Sequence, residues 1–196
     1  MELFFGMSAK RNKAFVYSII AFVSLSGAHA QSITTLKTNI ECLRSTHGNN
    51  FSGVSASYNK ELGRKWELGA GIEYSHTPTH NDNGWNLYHL HFVPVYISEH
   101  YKLCTGLRWT PYIHLQQGVT FGSYDKEFQD NPGPRYHIKE LGFYGAAGIG
   151  TNYYLSSRSG FFAEAGMKGF HLSFNNLDVN PHGITGKLGY VYRLKQ

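Results

Sequence analysis

The chain has 196 residues, a formal net charge of +5 and only two cysteines. It carries no basic block and no basic helix, which argues against a nucleic-acid partner, and one cysteine pair is not a disulfide scaffold. Its 22 glycines stand beside 14 tyrosines, 13 phenylalanines and 3 tryptophans, a pairing that strands accommodate better than helices do.

The N-terminus reads as an export signal. Lys10, Arg11 and Lys13 make a positive start, residues 14–25 are apolar, and Ala28-His29-Ala30 offers small residues where a signal peptidase cuts. The apolar run is too short for a spanning helix, which needs roughly 20 residues. Cleavage before Gln31 is expected, dividing the chain into a signal peptide (1–30) and one domain (31–196).

Beyond residue 31 the dominant signal is alternation with period two. Eight strands are expected, at about 33–43, 50–60, 64–75, 86–98, 108–120, 140–154, 160–172 and 183–194. The first separates Leu36, Thr38, Ile40 and Cys42 from Lys37, Asn39 and Glu41. In the third, Trp66, Leu68, Ala70, Ile72 and Tyr74 share one face, opposite Lys65, Glu67 and Glu73. In the sixth, Phe143, Ala147, Ile149 and Tyr153 oppose Gly142, Tyr144, Ala146, Gly148, Gly150 and Asn152. Its glycines do not keep the order of a dinucleotide fingerprint, and no helical pattern follows them. The seventh and eighth add Glu164, Lys168, Lys187 and Arg193 to the charged set.

Short and long connections alternate along most of the chain. Strands two and three, and six and seven, are joined by short turns. Links of about 10 residues follow the third and seventh strands, and about 19 follow the fifth. The link after the fourth strand, 99–107, is longer than the alternation wants. In an up-and-down barrel this places turns on one rim and loops on the other, the outer-membrane asymmetry. The fold expected is therefore all-β: an eight-stranded antiparallel up-and-down transmembrane β-barrel. Lys37, Glu41, Lys65, Glu67, Glu73, Glu164, Lys168, Lys187 and Arg193 fall on the interior face and can pair there, closing a narrow lumen. Tyr74, Tyr88, Tyr96, Trp109, Tyr153, Tyr154, Tyr190 and Tyr192 lie near strand ends, where aromatic girdles form. In that topology Cys42 lies near the external rim and Cys104 at the periplasmic rim, too far apart to bridge.

Several segments carry a resemblance. "WELGAGIEYS", "LHFVPVYISEHY" with its Val93-Pro94-Val95 core, "GFYGAAGIGTNYYL", "FFAEAGMKG" and "GKLGYVYRL" follow one another in an order similar to small outer-membrane β-barrel proteins of the Bacteroidetes type, those of the "porin family". The resemblance runs from about Ile33 to Leu194. It implies a bacterial outer-membrane location, lipid and lipopolysaccharide neighbours, and insertion by the barrel assembly machinery. It supplies no catalytic residues.

The 11 histidines invite a metal or enzymatic reading. His89 and His91 share a strand face at i, i+2 spacing, and His114 falls on the interior of the next strand, a pattern that can hold zinc or copper. His76, His80, His137 and His182 fall in expected loops. Ser75-His76 beside Glu73, and Ser98-Glu99-His100, contain the residue types of a hydrolase, but only as sequence neighbours. Asp82, Asp125, Glu127 and Asp130 lack calcium-loop spacing. No catalytic, cofactor or metal residues are assigned. The reading is a non-enzymatic outer-membrane barrel with a closed polar interior and a structural or loop-mediated binding role. Solute transport is the alternative, and lipid A modification a more distant one.

Overall fold

A computed structural model describes residues 33–82, 84–106, 108–172 and 179–194. The signal peptide expected at residues 1–30 lies outside the described residues. The strands are β1 (Thr34–Ser45), β2 (Asn50–Leu62), β3 (Trp66–Asp82), β4 (Trp85–Lys102), β5 (Trp109–Phe128), β6 (Tyr136–Tyr154), β7 (Ser159–His171) and β8 (His182–Leu194). Each pairs antiparallel with its chain neighbours, and β8 closes on β1. The eight-stranded barrel expected from the alternation is the fold observed. Closure leaves no sheet edge, so every strand finds its hydrogen-bond partners within the barrel.

The outer wall is apolar. Ile40, Val54, Ile72, Val95, Ile97, Ile113, Leu115, Phe143, Ile149, Met167 and Leu188 all stand exposed on it. Trp66 against Tyr101, Trp109 against Tyr153 and Phe161 against Tyr190 form aromatic pairs toward the turn-bearing rim. On β5 this wall runs from Trp109 to Phe121, about 40 Å of strand and, tilted, about 30 Å of height. That matches a bilayer's hydrocarbon core. Tyr74, Trp109, Tyr190 and Tyr192 do face outward, but Tyr96 and Tyr154 turn into the lumen, where both are buried.

The strand bounds differ from expectation on the external side. The sheet continues through 76–82, 121–128 and 136–139, so β3, β5 and β6 project with β4 above the apolar wall, while at the turn-bearing end β4 also runs on through 99–102. The segment read as a ten-residue loop after the third strand is a tight hairpin. Asp82 pairs with Trp85, and Gly84 takes φ +80°, the left-handed value such a turn needs. The nineteen-residue link after the fifth strand shortens to the span between Phe128 and Tyr136. Polar composition made these segments look like loops. Alternation continues on β5, where Tyr124 is buried, but slips by one residue in β3 and β4, where Thr77 and His80, and Leu87 and Leu90, all face inward.

The interior has two layers. The lower layer is ionic. Lys168 is paired with Glu41 and lies 2.6 Å from Glu73, and Lys187 lies 3.3 Å from the other oxygen of Glu41. Tyr144 Oη sits 3.0 Å from Glu73 and 2.9 Å from Gln116, which also accepts from Lys187. Nearer the turns, Lys102 pairs with Glu61 and lies 3.6 Å from Glu67. Lys65 is corrected: it lies in the turn before β3, exposed, with its ammonium over the outward Tyr101 ring.

The upper layer is apolar, which the expectation of a wholly polar interior missed. Phe51, Phe92 and Phe170 stack at centroid distances of 5.9 and 4.5 Å, joined by Leu43, Leu87, Leu90, Tyr124, Leu172 and Val179. Leu172 and Val179 are tied by reciprocal backbone hydrogen bonds of 3.0 Å across the β7–β8 connection. Gly142 makes room for this lid: a Cβ there would lie 2.4 Å from the Leu172 side chain.

Candidate functional site

The sequence-derived histidine site does not form. β4 carries a bulge between Tyr88 and His91, and His89 within it adopts φ 53°, the left-handed region. The bulge throws His89 out to solvent. His91 continues the outward phase of Val93 and Val95, stacks on His76 at 4.7 Å, and lies 2.6 Å from Tyr74 Oη. His114 is buried in the lumen, 3.8 Å from Glu164, beside His100. His89 and His91 thus lie on the outer face and His114 in the lumen, and among the described residues no group of three or more metal-ligating side chains assembles.

Neither hydrolase-like sequence cluster assembles. Ser75 points inward and donates to Glu73 at 2.6 Å, while the adjacent His76 points outward. Ser98 points inward to Asn59 at 2.7 Å, and His100 lies below it in the lumen with Tyr112 and Glu164. Adjacent strand residues face opposite sides, so His76 is parted from Ser75 and Glu73, and Glu99 from Ser98 and His100.

A histidine cluster does form at the external mouth, where His80 is buried and His47 and His182 are exposed. The His47 ring lies 5.5 Å from His80 and 6.3 Å from His182. Asn49 Nδ2 is 2.8 Å from His80 Nδ1. Burial, reinforced by the neighbouring His47, pulls His80 down to about 4. It is a neutral imidazole at neutral pH.

The most organised polar constellation lies on the outside, at the upper margin of the apolar wall. His76, His91, Ser123 and Lys139 are successive cross-strand partners on β3 to β6. One step below them the outward face is Val93, Phe121 and Leu141. One step above, Asp125 and His137 face each other across β5 and β6. The sequence reading placed Ser123, Asp125 and His137 in a loop and missed them. Carrying the phase of Phe121 onward through 123 and 125, and of Leu141 back through 139 and 137, would have found them.

Their geometry is specific. Asp125 Oδ1 lies 2.7 Å from His137 Nδ1, and Asp125 Oδ2 lies 3.5 Å from His89 Nδ1. The hydrogen bond from His137 holds the Asp125 carboxyl below its ordinary range. An ionised carboxylate only accepts, so His137 carries its proton on Nδ1. In the neutral ring Nε2 is then the acceptor, and the Ser123 hydroxyl lies 3.4 Å from it. The three side chains form one hydrogen-bonded chain, open to the outside.

At the opposite rim a cleft of about 380 Å³ is lined by Arg108, Thr110, Tyr154, Ser156 and Arg193. The Arg193 guanidinium stacks 3.7 Å from the Tyr154 ring.

With this geometry in hand, the similar solved structures are informative. A major outer membrane protein from Thermus thermophilus superposes with a TM-score of 0.60 at 10% identity, over 84% of this chain and 100% of that one. OprG from Pseudomonas aeruginosa gives 0.52 at 12%, over 86% and 99%. Ail from Yersinia pestis, solved with a heparin analogue, gives 0.51 at 12%, over 83% and 97%. The fold is thus that of bacterial outer-membrane barrels. No family model matches the sequence, and no curated protein is significantly similar to it.

Proposed function

We propose that the protein sits in a bacterial outer membrane as a barrel closed to solutes, acting through its external end rather than its lumen. The observation that carries this is the two-layer filling of the interior. Ion pairs join β1, β3, β7 and β8 across the lumen, and the stacked Phe51, Phe92 and Phe170 cap them. The membrane placement is supported by the apolar outer wall, its height and the neighbours' fold. The Bacteroidetes affiliation rests on the sequence motifs alone.

Residues 1–30 are, in this reading, an export signal, and the assembly machinery inserts the remainder among lipopolysaccharide and phospholipid. N-terminal sequencing of the protein recovered from an outer-membrane fraction tests this part: it should begin at Gln31. Solute transport is equally compatible with the fold. Swelling of liposomes containing the protein separates the two, because a porin admits small sugars and a closed barrel does not.

A further inference from the structure

The chain Asp125–His137–Ser123 has the connectivity of an acyl-transfer triad. The carboxylate accepts from Nδ1 at 2.7 Å, and Nε2 is left as base toward a serine hydroxyl at 3.4 Å. The serine distance is long for a hydrogen bond, as such contacts often are without substrate.

Position supplies the second argument. Ser123 lies on the outer wall in the first polar row above Phe121, which is 54% exposed, and Leu141, which is 45% exposed. That is the level at which a bilayer lipid places the ester between its acyl chains and headgroup. Acyl chains would lie against Val93, Phe121, Leu141 and Phe143, and the headgroup beside Lys139. Lys139 and His91 flank Ser123 as its cross-strand partners and are the positive or N–H donors next to a developing oxyanion.

We propose that Ser123, His137 and Asp125 hydrolyse carboxylic esters of long-chain amphiphiles at the external membrane surface. This departs from the non-enzymatic expectation drawn from the sequence, and it rests on the membrane placement proposed above. Ser123 Oγ attacks the ester carbonyl carbon, its proton passing to His137 Nε2 and the carbonyl π pair to oxygen. Collapse of this intermediate breaks the ester C–O bond, and the leaving alkoxide takes the proton from Nε2. Water then attacks the acyl-serine by the same route, releasing the carboxylic acid and restoring the hydroxyl. Asp125 orients the imidazole and stabilises its charged form.

The test uses the full mature barrel, refolded in detergent, with p-nitrophenyl palmitate in mixed micelles and a fluorophosphonate as covalent probe. Folding is read independently by heat-modifiable mobility on a gel. The expected result is ester turnover, with the fluorophosphonate adduct on Ser123. Ser123→Ala and His137→Gln should lose both, and Asp125→Asn should lower turnover by about 10²- to 10⁴-fold, all three remaining folded. Folded protein with no turnover and no adduct overturns the proposal, as does turnover unchanged in Ser123→Ala. Flotation with vesicles reads the placement separately. Flotation without turnover sinks the triad and leaves the closed barrel standing; turnover without flotation upholds the triad and sinks the placement.

Discussion

Lys168 Nζ lies 2.6 Å from Glu73 Oε1 at the centre of the lumen, on strands that are not neighbours in the barrel wall. Lys168 also reaches Glu41, so one cation holds two carboxylates from β1 and β3. Removing it takes this cation from the buried Glu73 and leaves Glu41 to Lys187 at 3.3 Å. Lys168→Met should therefore destabilise the barrel by about 3–5 kcal/mol. The double variant Lys168→Met/Glu73→Gln should cost less than the sum of the two single changes, because the stranded charge goes with the cation. Urea unfolding in vesicles, followed by tryptophan fluorescence, measures both.

Gly71 faces the lumen beneath the Tyr96 ring. A Cβ there would lie 2.6 Å from Tyr96 Cζ. Tyr96 is 3% exposed and packs on Tyr144 at 5.4 Å. Gly71→Ala should cost about 1–3 kcal/mol, and Gly71→Ala/Tyr96→Leu should recover part of the loss in the same assay.

His80 makes the crown sensitive to acid. Its folded value of about 4 lies below the 6.5 of the unfolded chain. Between those values the unfolded form binds the proton and the folded form does not, so stability falls as pH drops through that window. His47, Asn49 and Phe51 pack against it. Stability of the crown should fall by up to about 1.4 kcal/mol per pH unit between 6.5 and 4. Hydrogen exchange of residues 77–82, corrected for intrinsic pH effects, should show it, and His80→Gln should flatten the slope.

The two cysteines should not bridge. Cys42 faces outward near the top of β1, and Cys104 lies exposed in the β4–β5 turn at the other rim. In a bilayer, a water-soluble maleimide should label Cys104 readily and Cys42 slowly. Equal rates would place both thiols in water and contradict the membrane level assigned to β1.

The barrel was legible because its signal is local. Alternation in β1, β3 and β6 put Ile40, Ile72 and Ile149 outside and Glu41, Glu73 and Tyr144 inside, and the structure agrees. The crown was not legible, because its segments are polar enough to read as loop, and in β3 the phase also slips by one residue between the buried Thr77 and His80. The aromatic lid was missed for a related reason. Phe51, Phe92 and Phe170 come from three strands, and only closure of the barrel brings them together. The Ser123–His137 contact depends on β5–β6 register, which no single segment reveals. The bulge at His89 shifts the phase of β4, and His89 and His91 share the outer face rather than the inner one, away from the luminal His114.

Ion pairs below and stacked aromatics above should together seal the lumen. Single-channel recording of the purified mature barrel in a planar bilayer reads that seal without an intermediary. The membrane should stay at its leak level once protease protection has verified insertion. Discrete, reproducible conductance steps from the wild-type protein would contradict a closed barrel.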